Sequence, residues 1–574
     1  MPIDADTEKF IKVIALKNSV EHDGRAQVDV VVAKLAGSKP ELRSQIKSLM
    51  AEIKAAVQKI NAMPLADQKS LLEELAPGES VPKKSAGEQH MQLPPLEGAV
   101  QGKVVTRFPP EPNGYPHIGH AKAAIIDEEY ARMYGGKLIL RFDDTNPLKE
   151  KLEYYDAIAE GLEWLGVKPD IVKNTSDDIE LLQDYGRKLI ELGGAYVCTC
   201  SQDRIHDLRG KGLSCECRLE HATALERMGK MFGGSYGLNE AIVRFKGDMA
   251  DQNTAMRDPA LFRIVEGDHP RLGRKVRVWP TYDFAAPIED SIDGVTHAMR
   301  TKEYELRNAL YFAILERLKL RKPYLIEFSR LEFEGVPVSK RKIRPLIDNG
   351  TIKSWDDPRL PTLVAFKRRG FVPEAIRKFV LSLGFTLAET KPPFESLEAF
   401  NRKIIDPVSP RVFFVKNPVE VHVRGAREAE VVLKNHPTDT SLGTRKVRTG
   451  DRFYIAGDDA ANLKAGDEIR LIELYNIKVT GVDSRLISAE LGSDEIRQSM
   501  PKIQWIAKND IVEYKVLIPK ALYAGEEYNT NSLEIARGFA ESFVSGLKPD
   551  ARVQFVRFGF CRIDDSQTAI MTHR

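Results

Sequence analysis

The first hundred residues contain a stretch in which apolar positions follow a helical spacing, and this stretch is followed by one without such a spacing. Apolar side chains recur every three or four positions in one stretch: Leu42, Ile46, Leu49, Ile53, Val57 and Ile60. Ser38-Lys39-Pro40-Glu41, just before them, has the form of a capping box with proline near the first turn. Residues 78–98 are rich in proline, lysine, serine, glycine and glutamine. We therefore expect a helical N-terminal appendage over residues 1–77, followed by a linker over 78–100.

From Lys103 the pattern changes to short apolar strands that alternate with helices. The predicted strands are Lys103–Phe108 and Lys137–Phe142, and the predicted helices are His117–Tyr134 and Leu148–Leu165. Such alternation with short loops predicts a parallel sheet with right-handed crossovers. Ligands bind beyond the carboxyl ends of such strands, so residues 109–116 and 143–147 are the candidate functional loops.

The remaining pattern divides the chain into further domains. Residues 195–278 interrupt the alternation, residues 279–345 resume it, and residues 346–407 are mostly helical. From residue 408 to 574 short strands separated by turn residues predict β-barrels. We expect a multidomain α/β plus β protein. Its catalytic domain has two halves, 101–194 and 279–345, with an insertion over 195–278 and a helical connector over 346–407.

The composition indicates a globular protein, but it does not indicate what the protein binds. The 574 residues are 42% hydrophobic and 29% charged, which is typical of several globular domains. No apolar run approaches the roughly 18 residues that a membrane span needs, and the first residues lack the pattern of a signal peptide. A cytoplasmic protein without membrane contact is therefore predicted. The 85 Lys and Arg residues nearly cancel the 83 Asp and Glu residues, so net charge does not indicate nucleic-acid binding.

Four of the five cysteines form two close pairs, Cys198 with Cys200 and Cys215 with Cys217. Because a cytosolic protein does not use disulfides as structural links, a metal is the better interpretation. Two thiolate pairs can complete a tetrahedral zinc site. The pairs are tighter than usual zinc knuckles, so His206 or His221 in place of one thiol stays an alternative, and so do four buried reduced cysteines.

The loop after the first strand carries two histidines at the start of a helix, in Pro116-His117-Ile118-Gly119-His120. A helix N-terminus offers free N–H groups and a positive dipole, which suit a phosphate. Gly119 leaves no side chain between the backbone and a nucleotide. His117 and His120, three apart, share a helix face and can donate to a phosphate. Two surface histidines are the alternative, but the strand, proline-rich loop and helix favour a functional site.

Longer strings carry a resemblance to a known family. Pro-His-Ile-Gly-His matches the histidine signature of class I aminoacyl-tRNA synthetases. Thr106–Gly114 (TRFPPEPNG) and Leu140–Pro147 (LRFDDTNP) resemble the glutamyl and glutaminyl branch, and within it the archaeal glutamyl type. Val338-Ser339-Lys340-Arg341-Lys342 resembles the second signature, although Val336-Pro337-Val338 stands where the family has Lys and Met. The resemblance runs from Gly102 to the C-terminus.

The resemblance implies both a fold and a reaction. It implies a Rossmann-type catalytic domain, an insertion that grips the acceptor stem of tRNA, and two C-terminal β-barrels that read the anticodon. The implied reaction uses ATP and Mg²⁺ to convert L-glutamate to glutamyl-adenylate. Transfer to the 2′-hydroxyl of the terminal adenosine of tRNA(Glu) follows, and activation that requires bound tRNA is implied as well. A structural Zn²⁺ in the insertion is also implied.

The resemblance also assigns site residues. The catalytic ones are His117, His120 and Lys340, and Lys340 is expected to stabilise the pyrophosphate leaving group. The expected ATP contacts are Glu111, Pro112, Asn113, His117, Ile118, Gly119, His120, Ala121, Lys122, Ala123, Thr301, Arg330, Leu331, Val338, Ser339 and Lys340. The expected amino-acid contacts are Arg107, Asp143, Tyr282 and Arg300, with Asp143 facing the ammonium group.

Arg300 decides between glutamate and glutamine. Glutamyl relatives resemble this chain in having arginine here, whereas glutaminyl relatives have a small neutral residue. Ile326 falls where glutaminyl relatives place an amide. A buried arginine that faced glutamine's amide would lose its anionic partner, at a cost of about 2–5 kcal/mol. A glutaminyl-tRNA synthetase is the first alternative, and a noncatalytic RNA-binding protein is the second. Whether tRNA(Gln) is also charged with glutamate stays open.

Other contacts with macromolecules follow from local patterns. Arg411 matches an anticodon-contacting arginine, and the neighbouring Phe413 and Phe414 suit stacking on unpaired bases. A core strand preceded by a surface arginine is the alternative. Two segments, residues 319–344 and residues 366–370 with Arg368 and Arg369, are expected to supply positive charge for RNA phosphates. The N-terminal appendage is a candidate docking module for a protein partner, although its apolar face can equally form its own core.

Overall fold

The protein is represented by a computed structural model that describes residues 5–21, 24–28, 30–32, 35, 46–76, 93–219, 221–389, 391–483 and 485–574. The chain divides into two units, Met1–His90 and Met91–Arg574, with the division inside the predicted linker. The predicted capping box at residues 38–41, Leu42 and most of that linker lie outside the described residues. Among the helices described, none combines the length and the apolar character needed to cross a membrane.

The N-terminal unit contains helices α1 (Ala5–Glu21), α2 (Ile46–Asn61) and α3 (Leu65–Leu75). Its predicted apolar face is confirmed over α2, where Leu49, Ile53, Val57 and Ile60 are buried against α1. Gln68 of α3 is fully buried and donates to the carbonyl of Ile60 at 2.9 Å. The apolar face is thus the unit's own core, the alternative that the sequence leaves open.

The predicted parallel sheet is confirmed. Strands β1 (Val105–Phe108), β2 (Lys137–Phe142) and β3 (Ile171–Asn174) pair in parallel in that order. On the other side of β1 lies β8 (His297–Thr301), which pairs in parallel with β9 (Tyr324–Phe328). The helices of this domain are α4 (Ile118–Met133), α5 (Leu152–Trp164), α6 (Ile179–Glu191), α9 (Tyr282–Ile292) and α10 (Asn308–Leu318).

Helix α5 begins four residues later than the pattern predicts. Residues 143–150 form a loop because side chains satisfy its backbone: the carboxylate of Glu150 accepts from the Asn146 N–H at 2.7 Å. The neighbouring Asp144 is fully buried and accepts from the hydroxyl of Tyr155 at 2.7 Å. This loop therefore keeps Asp143 at the end of β2 and outside any helix.

The insertion is a four-stranded antiparallel sheet with two helices. Its order is β4 (Ala195–Cys198), β5 (Ile242–Phe245), β6 (Ala260–Ile264) and β7 (Val278–Pro280). The helices are α7 (Gln202–Lys211) and α8 (His221–Phe232). The connector is helical as predicted, with α11 (Lys340–Asp348), α12 (Leu363–Arg369), α13 (Pro373–Ser382) and α14 (Phe394–Ile405). Helix α11 spans the predicted boundary at residue 346, so the second signature and the connector share one helix.

The C-terminal part contains two seven-stranded half-barrel sheets, with a short helix α15 (Gly457–Ala460). One sheet contains β12 (Val419–Arg424), β15 (Arg452–Ile455), β16 (Glu468–Leu471), β17 (Asn476–Val482), β18 (Leu486–Leu491), β19 (Lys502–Ile503) and β20 (Ile506–Ala507). The other contains β10 (Arg411–Val412), β11 (Phe414–Lys416), β21 (Ile511–Pro519), β24 (Leu533–Glu541), β25 (Arg552–Phe555), β26 (Gly559–Asp565) and β27 (Thr568–His573). Two hairpins are β13 (Ala429–Lys434) with β14 (Thr444–Thr449), and β22 (Tyr523–Ala524) with β23 (Glu527–Tyr528).

Candidate active site

A cavity of about 520 Å³ lies where all five parallel strands end. Each strand contributes a residue at or just beyond its carboxyl end: Arg107 from β1, Asp143 from β2, Thr175 from β3, Thr301 from β8 and Leu331 from β9. The carboxyl edge of a parallel sheet is where such proteins bind their ligands. The topology therefore places the predicted signatures around one space.

Most of the predicted site residues line this cavity. Those that do are Arg107, Glu111, Asn113, His117, Gly119, His120, Ala123, Asp143, Tyr282, Arg300, Thr301, Arg330 and Leu331. The others lie outside its lining: Pro112, Ile118, Ala121, Lys122, Val338, Ser339 and Lys340. The predicted residues thus lie in and around this cavity, and some residues of each signature are not in its lining.

The two histidines are held at the first turn of α4 through their Nδ1 atoms. His117 Nδ1 accepts from the Gly119 N–H at 3.1 Å, and His120 Nδ1 accepts from the His117 N–H at 3.2 Å. The ring centroids are 4.0 Å apart. A neutral imidazole whose Nδ1 accepts carries its proton on Nε2. Each ring is thereby left with one N–H donor for a ligand in the cavity.

The surroundings keep both rings neutral. Burial lowers the pKa of His120 to about 4, and the charges of Lys340 and Arg330 act in the same direction. The pKa of His117 is lowered for the same reasons, with His120 as a further cause. Neutral rings suit a role as fixed hydrogen-bond donors to phosphate.

Lys340 reaches the cavity region from the opposite signature. It is the first residue of α11, and its ammonium group lies against Gly114 in the loop after β1. Burial lowers the pKa of Lys340 to about 8, and Lys149 and Arg344 add to the effect. The two signatures therefore meet, with the lysine beside the loop that carries the histidines.

Lys122 has a supporting position. Its side chain is buried, and its ammonium group donates to the carbonyl oxygen of Ser329 at 2.5 Å and to the hydroxyl of Ser329 at 3.0 Å. It thus ties α4 to the segment that presents Arg330 and Leu331 to the cavity. The side chain of Lys122 is already engaged there, so its predicted contact with ATP has no support from this geometry.

Arg107 and Asp143 each leave one polar atom without a hydrogen-bond partner among the described residues: Nη2 of Arg107 and Oδ2 of Asp143. Their other atoms are engaged. Arg107 donates to Asp290 at 3.0 Å and to the Met299 carbonyl at 2.6 Å. Asp143 Oδ1 accepts from Arg141 and from Thr175, both at 3.0 Å. A buried polar atom without a partner costs about 1–3 kcal/mol, so one unpartnered donor and one unpartnered acceptor in the same cavity suit a ligand that carries a carboxylate and an ammonium group.

Arg300 is a buried cation held mainly by aromatic rings. It is 5% exposed, and its guanidinium lies 5.1 Å from the ring centroid of Tyr304 and 5.5 Å from that of Tyr311. Its Nη2 donates to the Tyr304 carbonyl at 3.0 Å, while Nε has no partner, and none of the described carboxylates forms an ion pair with it. The alternative of a structural ion pair therefore finds no support here. Ile326, by contrast, packs in a hydrophobic cluster outside the cavity lining.

Several functional neighbours carry no signal in the sequence. Tyr304 lines the cavity beside Tyr282, with ring centroids 5.0 Å apart, and Tyr311 supports Arg300 from α10. Tyrosines in apolar stretches are ordinarily core residues, so spacing alone does not distinguish these two. Arg141 belongs to a recognised string, but its ion pairs follow only from the fold.

Comparison with known proteins agrees with this geometry. The family model for the catalytic domain of class I tRNA synthetases (E and Q) matches residues 103–407. Models for the anticodon-binding domains of the same family match residues 409–492 and 502–564. A glutamate–tRNA ligase of Cenarchaeum symbiosum is 51% identical over 98% of each chain. Those of Nitrosopumilus maritimus and Pyrococcus furiosus are 48% and 40% identical over at least 99% of each chain.

The chain belongs to the archaeal-type glutamate–tRNA ligases. The resemblance seen in the short strings is thus confirmed over the full length, including the N-terminal appendage. The two C-terminal sheets correspond to the anticodon-binding domains of the family.

In this chain the four predicted cysteines come together at the start of the insertion. Their sulfur atoms all lie within 4.8 Å of one another, with Cys198 and Cys215 3.8 Å apart and Cys200 and Cys217 3.9 Å apart. A tetrahedral zinc site with Zn–S bonds of about 2.3 Å has sulfur atoms about 3.8 Å apart. Arg244 lies 3.9 Å from two of the sulfurs, where it offsets thiolate charge. The cluster can therefore bind a metal.

The two histidines considered as alternative metal ligands are His206 and His221. His206 is exposed and does not belong to the group of close ligand atoms. The side chain of His221 lies outside the described part of the structure. Four sulfurs at this spacing complete a tetrahedron without a histidine, so the four-thiolate set fits best.

The region around Arg411 differs from the sequence-based interpretation. Its guanidinium donates to the carboxylate of Asp406 at 2.5 Å and to the Ser409 carbonyl at 3.1 Å. Phe413 and Phe414 are 4% and 0% exposed and pack in the cores of the two different sheets. The expectation that they stack on bases is wrong, because both rings are buried in these cores and are not exposed to an unpaired base. A contact between Arg411 and the anticodon stays a prediction.

Proposed function

We propose that this chain activates L-glutamate with ATP and transfers the glutamyl group to the terminal adenosine of tRNA(Glu). The observation that carries the proposal is Arg300, a buried guanidinium in the cavity wall without a carboxylate partner among the described residues. A carboxylate ligand would supply the missing anion. Glutamate offers one in its side chain, and glutamine does not.

Asp143 and Arg107 orient the amino acid. The free Oδ2 of Asp143 accepts from the substrate ammonium, and the free Nη2 of Arg107 donates to a substrate carboxylate. Tyr282 covers the same part of the cavity. Three fixed groups around one small ligand restrict it to one orientation, and such positioning is a large part of the rate enhancement.

His117, His120 and Lys340 act on ATP. The Nε2–H groups of the two histidines donate to the oxygens of the α-phosphate, and Mg²⁺ that enters with ATP neutralises the phosphate oxygens. An oxygen of the glutamate α-carboxylate attacks the α-phosphorus. The bond from that phosphorus to the bridging oxygen breaks, and pyrophosphate leaves. Lys340 stabilises the charge that grows on the leaving group.

Transfer uses the same cavity. A ribose hydroxyl of the terminal adenosine attacks the acyl carbon of glutamyl-adenylate, its proton passes to a phosphate oxygen of the adenylate, and AMP leaves with the electrons of the broken C–O bond. By likeness to the family, this is the 2′-hydroxyl. The insertion holds the acceptor end, and the thiolates of Cys198, Cys200, Cys215 and Cys217 bind a structural Zn²⁺ that fixes its first strand. Arg411 is proposed to contact the anticodon.

Two further assignments rest on the sequence and the family. We place the reaction in the cytoplasm, where tRNA is charged. The N-terminal appendage can bind a protein partner only through surfaces other than its buried apolar face.

The decisive experiment is pyrophosphate exchange into ATP with glutamate or with glutamine, in the presence of tRNA(Glu). We expect exchange with glutamate at a kcat/KM at least a hundredfold above that with glutamine, in line with the loss of a buried ion pair. Faster exchange with glutamine would identify a glutaminyl enzyme. No exchange with either amino acid would indicate a noncatalytic RNA-binding protein. Aminoacylation of purified tRNA(Glu) and tRNA(Gln) then decides which tRNA is charged.

A further inference from the structure

Behind the cavity, Asp290 contacts residues from three other elements. It is fully buried on α9, and its Oδ1 accepts from Arg107 Nε at 3.0 Å and lies 2.9 Å from Arg141 Nη1. Its Oδ2 accepts from the hydroxyl of Tyr311 at 2.8 Å. The two arginines come from β1 and β2, and the tyrosine comes from α10.

Each partner of Asp290 in turn supports a group that faces the ligand. Arg107 presents its own free Nη2. Arg141 donates to Asp143 at 3.0 Å and so orients the carboxylate whose Oδ2 is free. Tyr311 places its ring 5.5 Å from the guanidinium of Arg300. Three of the four predicted amino-acid contacts, Arg107, Asp143 and Arg300, are therefore linked to one carboxylate.

Asp290 is charged despite its burial. Burial alone would raise its pKa, but Arg107 and Arg141 together lower the pKa below the ordinary value for aspartate. Without that charge the buried Arg107 would lose its ion pair, whereas Arg141 would keep its pairs with Asp143 and Asp293. Leaving a buried guanidinium without its carboxylate is a costly arrangement. The carboxylate thus fixes both side chains with charge-assisted bonds, which are geometrically specific.

We propose that Asp290 is the positioning residue for the amino-acid half of the active site, and that it acts on glutamate affinity and specificity through Arg107, Arg141 and Tyr311. This inference deepens the proposed function and rests on it. Asp290 does not line the cavity, so it touches no substrate. The histidine pair has its own hydrogen bonds within α4 and is not linked to Asp290 by the contacts above.

This separation gives a specific test. Tyr311→Phe removes one hydrogen bond to Asp290 and keeps the ring beside Arg300, so it should fold. We expect KM for glutamate to rise about three- to tenfold, with KM for ATP and kcat within about twofold, because one hydrogen bond to a charged group is lost. Asp290→Asn removes the ion pair of Arg107 and one of the three ion pairs of Arg141, and it should raise KM for glutamate about thirtyfold or more.

The matched control is Tyr196→Phe. Tyr196 is also buried, and its hydroxyl donates to a buried aspartate, Asp258, at the same 2.8 Å, but neither residue lines the cavity. It should leave KM for glutamate unchanged. Unchanged KM for glutamate in Tyr311→Phe, or an equal rise in KM for ATP, would overturn the inference. Failure of the unsubstituted protein to exchange pyrophosphate with glutamate would instead overturn the proposed function, so the two failures are distinguishable.

Discussion

A β-carbon on Gly114 would lie 2.7 Å from Cε and 2.9 Å from Nζ of Lys340. Both distances are shorter than van der Waals contact, so only glycine at this position lets the lysine lie where it does. The contact joins the loop of the first signature to the first residue of α11. It places the lysine of the second signature beside the loop of the first, which supports the proposal that both act on one ligand.

Gly114→Ala is therefore expected to displace the ammonium group while the fold survives, because a lysine side chain can move. The rate of pyrophosphate exchange should fall about tenfold or more, since charge stabilisation at the leaving group depends on position. KM for glutamate should change little. Gly229→Ala is the matched control, because nothing lies within 4 Å of a β-carbon there. Equal kcat in the two variants would contradict a role for the contact.

The charge of Lys340 predicts a pH dependence. Burial lowers its pKa to about 8, so the ammonium form that stabilises pyrophosphate predominates below that value and is lost progressively above it. The kcat/KM for ATP should therefore decline as pH rises through about 8, by about tenfold per further pH unit. Lys340→Arg keeps a cation at all these pH values, so the decline should disappear in that variant even though its activity is lower.

A second lysine provides the competing explanation for such a decline. Burial also lowers the pKa of Lys122 to about 8, and Lys122 holds the segment that presents Arg330. If deprotonation of Lys122 caused the loss of activity, Lys340→Arg would show the same decline near pH 8. That result would assign the pH dependence to Lys122, which holds the cavity wall, and not to Lys340, which faces the leaving group.

Arg300→Cys tests the choice of substrate. Removal of the guanidinium should lower kcat/KM for glutamate at least about thirtyfold, and weak exchange with glutamine should appear because the uncompensated cation is gone. Arg317→Cys is the control, because Arg317 also lies over an aromatic ring, 5.0 Å from the centroid of Phe245, but does not line the cavity. Unchanged kinetics with glutamate in Arg300→Cys would refute the assignment.

Sequence alone predicts the site residues that lie at the carboxyl ends of the parallel strands. The ends of β1, β2 and β8 carry Arg107, Asp143 and Arg300, and a parallel sheet must place its strand ends at one edge. Asp290 could not be found in this way. It lies 183 residues from Arg107, on a helix whose neighbouring residues are also buried, and only the packing of α9 behind the sheet creates the ion pair.

The partners of surface arginines are also hard to predict from sequence, because they can come from distant parts of the chain. Arg368 and Arg369 have the composition of an RNA-contacting segment, yet they pair with Asp564 at 2.9 Å and with Glu398 at 3.0 Å. Asp564 lies almost two hundred residues further along the chain. A local run of arginines cannot reveal a distant carboxylate, so the expected phosphate contacts of these two residues find no support.

The cysteine cluster predicts about one zinc ion per chain and a defined consequence of its loss. Cys217→Ser should reduce bound zinc below half an equivalent and raise KM for tRNA, because β4 and the turn at Cys215 lose their common anchor. KM for glutamate should stay unchanged, since no cysteine lines the cavity. Cys561→Ser is the control: Cys561 is buried in the other half of the molecule, on β26, and should leave zinc content unaffected. Elemental analysis of the purified variants measures the zinc content. Less than half an equivalent of zinc in the intact unsubstituted protein would contradict the assignment.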